Sequence, residues 1–271
     1  MPVRTSKKLK SSIALIEADK ITIHGLDLAR DILGKVNLGD MAFLEMKKRV
    51  PTPQESVVFN AIAVALVEHG VSANAIVARM TYTGAPEAMQ VAIAAGLCGM
   101  GGGMTSGMMT SEARKTGSME NAARMLQEAL PDPKADADLD ALARKIVKDY
   151  APSQIIPGVG HHFHVPDDPR TARLFEIARA NGFYGPYVKL MRSIAKHAQE
   201  TYRKTLPLNA PGAIAAIACE LGLPWQIVRG VSVVARAIGL VGHILEEMHE
   251  PMSREIQVRA QEEATAHLRS T

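Results

Sequence analysis

The sequence predicts an all-α fold that opens with a short N-terminal β-hairpin. Three observations carry this. Aromatic residues are only 4% of the chain while alanine, leucine, methionine and isoleucine abound, a balance that favours closely approaching helices over a β-sandwich. Residues 12–24, SIALIEADKITIH, hold two short alternating runs around Glu17-Ala18-Asp19-Lys20, the pattern of one small hairpin. Almost everything after them reads as helix, punctuated by caps, prolines and glycines.

The elements follow in order. In TPQE, residues 52–55, Thr52 is the N-cap, Pro53 takes the first helical position and Glu55 closes a capping box. The helix that follows carries Val57, Val58, Ile62, Val64, Ala65 and Leu66 and ends near His69-Gly70. Residues 86–97 and 118–130 read as two further helices, and 131–140 as a surface linker into a helix over 138–150. Asp168 caps the next helix, with Pro169 at its first position and Asn181-Gly182 as its stop. Two apolar helices close the series: 210–221, bounded by Asn209 and Gly222, and 225–248, bounded by Pro224 and the His249-Glu250-Pro251 turn. No repeat at a solenoid period is present.

Composition bounds the function. With 271 residues, one large domain or two coupled ones can form. A net charge of +3, spread along the chain, is too mild to argue for a nucleic-acid partner. Two cysteines, Cys98 and Cys219, in apolar, helix-like surroundings suit a reduced cytoplasmic compartment better than a disulfide framework. The basic N-terminus lacks a following apolar region, so a secretory signal is not expected. The longest apolar runs, such as AIAAIA at 213–218, fall short of a membrane span.

Two segments invite chemistry. GLCGMGGGMTSGMM, residues 96–109, is rich in glycine, but it follows a helix and lacks GxxxxGK[ST]; close helix approach or a hinge is favoured over phosphate binding. PGVGHHFHVPDDPR, residues 157–170, is more informative. Pro157, Gly158, Val159 and Gly160 present main-chain groups that a flat heterocycle can use. His161 sits at the end of that turn. His162 and His164 share a face of an extended segment, yet no Cys or HExxH supplies further ligands, so a metal is not expected. Arg170 stands in the first turn of a helix, where the dipole disfavours a cation, which makes sense if it meets a carboxylate. Two isolated residues join them. His69 closes an apolar helix. Arg236 lies inside another, with no acidic residue within one turn, and a buried arginine demands an anion from the protein or from a substrate.

Taken in order, these segments resemble the citrate synthase family, and within it the short citryl-CoA lyases and the lyase portion of ATP-citrate lyase. SSIALIEADKITIHGLDLARDIL resembles the family's N-terminal hairpin and first helix, RVPTPQE its G-x-L-P-T-x-x-E turn, and LVEHG its D-H-G/E segment. IPGVGHHFHVPDDPR resembles P-G-x-G-H…D-P-R, and VVARAIGLVGHILEEMHEP resembles the A-R-x-x-G-x-x-x-H-x-x-E helix. The resemblance implies an all-α homodimer with a large domain built from 1–104 and 222–271 and a smaller domain, 105–221, between them. It implies coenzyme A or an acyl-CoA as substrate beside a small-molecule carboxylate, with no metal, membrane or nucleic acid involved. His161 matches the histidine on the keto or hydroxyl oxygen; Arg170 and Arg236 match carboxylate-holding arginines; His69 matches a further substrate-binding histidine. Pro157 to Gly160 match the main chain that recognises adenine.

The departures are equally specific. Pro211, in Asn209-Ala210-Pro211-Gly212, stands where the family's carboxylate base belongs. Met104 or Thr105 stands in place of a second histidine, Glu250 in place of a late arginine, and Val165 where a basic residue is frequent. Three outcomes are expected from such a site. The chain is a carbon–carbon lyase or synthase with a non-standard hydroxyacyl-CoA, using His161 with His162 or His164 as acid and base, or Asp167 or Asp168 as the substitute carboxylate. It is a non-catalytic acyl-CoA binder. Or it is a hydrolase or decarboxylase on the same scaffold.

Overall fold

The structure is a computed structural model that describes residues 9–100, 118–161 and 164–269. Three short antiparallel strands open the chain: β1 (Ala14–Ile16), β2 (Ile21–Ile23) and β3 (Leu26–Asp27), in that order. Ala14 faces Ile23 and Thr22 faces Asp27. The expected hairpin therefore gains a third strand. It is two residues long, too short to show alternation, and a π-helical turn over Leu28–Ile32 follows it directly.

Among the described residues eleven α-helices come next. They are α1 (Leu38–Lys47), α2 (Pro53–Val67), α3 (Ala73–Gly84), α4 (Met89–Cys98), α5 (Ser118–Ala129) and α6 (Leu139–Asp149). Then follow α7 (Pro169–Ala180), α8 (Pro186–Tyr202), α9 (Ala210–Glu220), α10 (Trp225–His249) and α11 (Ser253–Thr265). The expected caps operate. Glu55 N–H donates to the Thr52 hydroxyl at 3.2 Å, and Thr52 N–H donates to the Glu55 carboxylate at 2.8 Å. Arg49 grips the same carboxylate with two bonds, at 2.7 and 2.6 Å. That bidentate bond, against an opposing burial effect, holds the Glu55 carboxyl down at about 2. One start is later than expected. α4 begins at Met89 rather than at Pro86, because Ala88 N–H bonds back to Ala85 O and closes a turn first.

Helix α9 is the centre of the main core. Ala213 to Ala218 are each no more than 1% exposed, so the helix is covered on every side by α2, α5, α7, α8 and α10. Its small residues let neighbours come close. A smaller cluster, Ala75 and Ala78 of α3 with Leu240 of α10, packs Ile93 and Leu97 of α4. The main core draws residues from both sides of positions 105 and 222. Helix α10, at 25 residues and mean hydropathy 1.5, is long and apolar enough to cross a membrane, but half of that stretch is buried in the protein. Arg236, His243 and Glu247 all lie on its buried side, as in a core helix.

Candidate active site

The site is set by the place where the end of α2 crosses α10. Gly239 lies there: a Cβ at that position would stand 2.1 Å from Val67 O. Only a residue without a side chain lets the two helices meet so closely. After Val67 the chain leaves the helix at Glu68, with φ −124° and ψ 143°. The Glu68 carboxylate accepts the backbone N–H of His69, at 2.8 Å, and that of Gly70. Gly70 takes φ +70°. This turn delivers His69 to the neighbourhood of Arg236, one helical turn before Gly239 on the same face of α10.

Arg236 is 3% exposed, and its NH1 nitrogen is buried without a hydrogen-bond partner among the described residues. Burial holds its pKa below the usual guanidinium value, and the Glu68 carboxylate opposes that only in part. The other deeply buried arginine, Arg79 of α3, contrasts with it. Arg79 is paired with Glu247 at 3.0 Å and with Glu246. The acidic partner that the sequence asked for at Arg236 is thus supplied to Arg79 and not to Arg236.

The PGVG loop is strapped to the segment before α9. Gly160 N–H donates to Pro207 O at 2.7 Å, Asn209 N–H donates to Gly158 O at 3.1 Å, and the Asn209 side-chain amide donates to Gly160 O at 2.7 Å. Gly158, at φ +86°, packs on Gly212 so tightly that a Cβ would lie 2.6 Å from the Gly212 Cα. With Val159 N–H also bound to Ile156 O, what Val159 and Gly160 offer a ligand is carbonyl oxygen rather than N–H. His161 follows at once. Its Nδ1 accepts the His164 N–H at 2.9 Å, so the neutral ring carries its proton on Nε2. The His161 and His164 rings stand 4.6 Å apart.

Arg170 does meet a carboxylate, and it is the cap of its own helix. Asp168 accepts from Arg170 Nε at 3.0 Å and NH2 at 2.9 Å, from Arg170 N–H at 3.1 Å and from Ala210 N–H at 2.9 Å. Burial pushes the Asp168 carboxyl up, but these donors outweigh it and hold it below the usual range. Asp168 therefore sits beside Pro211 at the start of α9, yet it is fully engaged and a poor base. Asp167 is exposed nearby. Pro211 lies in the first turn of α9 and has nothing to titrate.

These residues converge. Partial burial, Arg170, Arg236 and His164 all push the His69 pKa down, against the opposing pull of Glu68. The neutral form of His69 is therefore favoured, although the residue is exposed. His69 thus lies within electrostatic reach of Arg170, Arg236 and His164, and His164 is tied to His161, which makes this cluster the candidate site. His162, and Met104 and Thr105 of the Gly-rich segment, lie outside the described residues. Among the described residues no three His, Cys, Asp or Glu side chains form a metal-ligand group. Glu250 is exposed at the end of α10. Glu68 and His243 stand in the quoted LVEHG and A-R-x-x-G-x-x-x-H-x-x-E segments but were given no role there, and Arg79 was not singled out; its signal was a charge inside an apolar helix. A groove of about 850 Å³ runs between α7 and α8, with Asp167, Asp168 and Thr171 in its lining.

The fold is a tight packing of helices, and its candidate site centres on a buried guanidinium, Arg236, whose NH1 has no partner among the described residues. The chain belongs to the citrate synthase family: residues 31–259 match the family described as "Citrate synthase, C-terminal domain". Among solved structures, citryl-CoA lyase from Hydrogenobacter thermophilus is 31% identical, with a TM-score of 0.76 over 90% of this chain and 88% of that one. ATP citrate lyase from Methanothrix soehngenii, solved with citrate and coenzyme A, is 22% identical, with a TM-score of 0.69 over 91% of this chain and 40% of that one. A probable ATP-citrate synthase of Dictyostelium discoideum is 24% identical over 90% of this chain, which spans 39% of that relative's length.

Proposed function

We propose that the chain is a CoA-thioester carbon–carbon lyase or synthase resembling citryl-CoA lyase, acting on a hydroxyacyl-CoA with fewer carboxylates than citrate. Kinship with citryl-CoA lyase supports an enzyme of the CoA-dependent lyase kind. The observation that carries the substrate class is Arg236. It is the buried guanidinium left without an anion, whereas Arg170 is neutralised by Asp168. A single such guanidinium among the described residues suits one substrate carboxylate better than three.

In the cleavage direction the substrate hydroxyl loses its proton and becomes a carbonyl. The bond between that carbon and the thioester α-carbon breaks, and its electron pair passes to the thioester enolate, which then takes up a proton. His161 Nε2–H is the donor to the hydroxyl or keto oxygen. Its Nδ1 is occupied, so the proton transfers fall to a second group, and His162 is our candidate. Arg236, with His69 beside it, holds the acid, Arg170 being engaged by Asp168, and the main chain of Pro157 to Gly160 is our candidate surface for the adenine of coenzyme A. We also propose a cytoplasmic homodimer.

The test is incubation of the purified protein with a panel of hydroxyacyl-CoA esters, with product analysis by mass. Release of acetyl-CoA and a keto-acid is expected, and Arg236→Gln lowers kcat/KM by about 100-fold or more. A free acid or carbon dioxide without a keto-acid identifies a hydrolase or decarboxylase instead. Pro211 in place of a base supports one rival, an acyl-CoA binder without turnover; binding of CoA esters with no product from any of them establishes it.

A further inference from the structure

On the inner side of α10 lies a polar chain, buried at Arg79 and His243, that nothing in the reaction above uses. It starts at Arg79, which is 0% exposed. Its Nε and NH2 lie 3.3 and 2.9 Å from His243 Nδ1. Arginine only donates, so Nδ1 must be the acceptor, and the neutral imidazole carries its proton on Nε2. That nitrogen is 3.1 Å from Glu68 Oε1 and donates to it. The same Oε1 accepts the His69 N–H and the Gly70 N–H. The other end is anchored as firmly. Glu247 takes Arg79 NH1 at 3.0 Å and the backbone N–H groups of Met252 and Ser253 at 3.2 and 2.9 Å. His243 and Arg236 are seven residues apart, two turns along one face of α10, with Gly239 between them under the end of α2.

We propose that His243 is a positioning residue. By donating from Nε2 to Glu68 it fixes the carboxylate that shapes the His69–Gly70 turn, and so sets the His69 imidazole against Arg236. Without the donor, Glu68 is a partly exposed carboxylate at the end of a helix, free to swing, and the turn that it holds loosens. Burial alone raises the Glu68 pKa; the His69 N–H, His243 and Gly70 donors outweigh it and keep the carboxylate charged, as the turn requires. The role goes beyond the lyase reading, and only the kinetic arm of its test rests on that reading.

Two substitutions separate positioning from stability. Gln can reach Glu68 with its amide N–H, in the place of Nε2–H. Asn can accept from Arg79 in the place of Nδ1 but cannot reach Glu68. Imidazole ¹⁵N spectra at neutral pH are expected to show the His243 proton on Nε2. His243→Asn is expected to shift the His69 ring resonances while keeping the fold; His243→Gln leaves them in place. With the substrate identified by the panel above, His243→Asn loses between about 10- and 100-fold in kcat/KM, and His243→Gln keeps it within about threefold. Coenzyme A affinity stays unchanged in both.

A proton found on Nδ1 overturns the proposal. So do equal losses in the two variants that track their thermal midpoints, or His69 resonances untouched by His243→Asn. If no ester in the panel reacts, the lyase reading fails, and the His69 resonances alone decide the role of His243.

Discussion

Arg79 and Arg236 show how much a single residue's surroundings decide. Both are arginines inside apolar helices, and the sequence treats them alike. Arg79 finds Glu246 and Glu247 of α10, more than 160 positions further along the chain. Arg236 finds Glu68 only at a distance, and its NH1 stays orphaned. The sequence could say that a buried arginine needs an anion; it could not say which arginine the protein would satisfy. A buried, unpaired cation is costly to the fold, so Arg236 is expected to cost stability where it sustains function. Arg236→Met removes the charge and keeps the length of the stem. We expect its midpoint of chemical unfolding to rise, by roughly 1–3 kcal/mol of stability, while binding of acid substrates is lost. Calorimetric titration and urea unfolding on the same samples check this. A variant that is both less stable and still binds its acid would show that Arg236 is a structural residue.

At the level of elements, the helices were legible where short-range chemistry marks their ends. The Thr52–Glu55 box, Asp168 before Pro169, and Asn209 before the small residues of α9 are local signals, and each forms as read. Two features were not legible. The two-residue β3 and the π-helical turn are shorter than any periodicity, and the start of α4 depends on a turn bond rather than on composition. The meeting of α2 with α10 was hidden for another reason. Gly239 stands in the quoted A-R-x-x-G segment with no reason attached, and only the carbonyl of Val67, 172 positions away, shows what the missing side chain permits. Gly239→Ala ought to help an isolated helix by about 1 kcal/mol. Here the new methyl meets backbone, which cannot rotate aside, so α2 and α10 must part. We expect a net loss of about 1–3 kcal/mol and a weaker acid site, because His69 and Arg236 are carried by the two helices that separate. Denaturant midpoints and acid affinity measured together test this; a variant more stable than the parent with intact binding would mean that the crossing is slack.

For the whole molecule, α10 has two faces of different use. Its inner face carries the buried Arg236, Gly239, His243 and Glu247 of the candidate site and the polar chain behind it. Its outer face leaves Val234, Ile238, Val241 and Leu245 between 43% and 54% exposed. Beside them a small apolar depression of about 110 Å³ is lined by Leu38 and Ala42 of α1 and Val64 of α2. Val64 itself is 70% exposed. A continuous apolar surface across three helices is what a covered interface leaves when its partner is taken away. The proposed homodimer would supply that cover, and it would link assembly to chemistry, since the same helix would press on the partner with one face and hold the proposed substrate's carboxylate with the other. Ile238→Glu puts a charge in the middle of the outer face and leaves the inner one alone. Light scattering after size exclusion should give twice the 29.1 kDa chain mass for the parent protein and one chain mass for the variant. If the interface also steadies α10, the variant should bind its acid several-fold more weakly at low protein concentration. A parent protein that runs as a single chain would remove the homodimer and leave the outer face of α10 to some other partner.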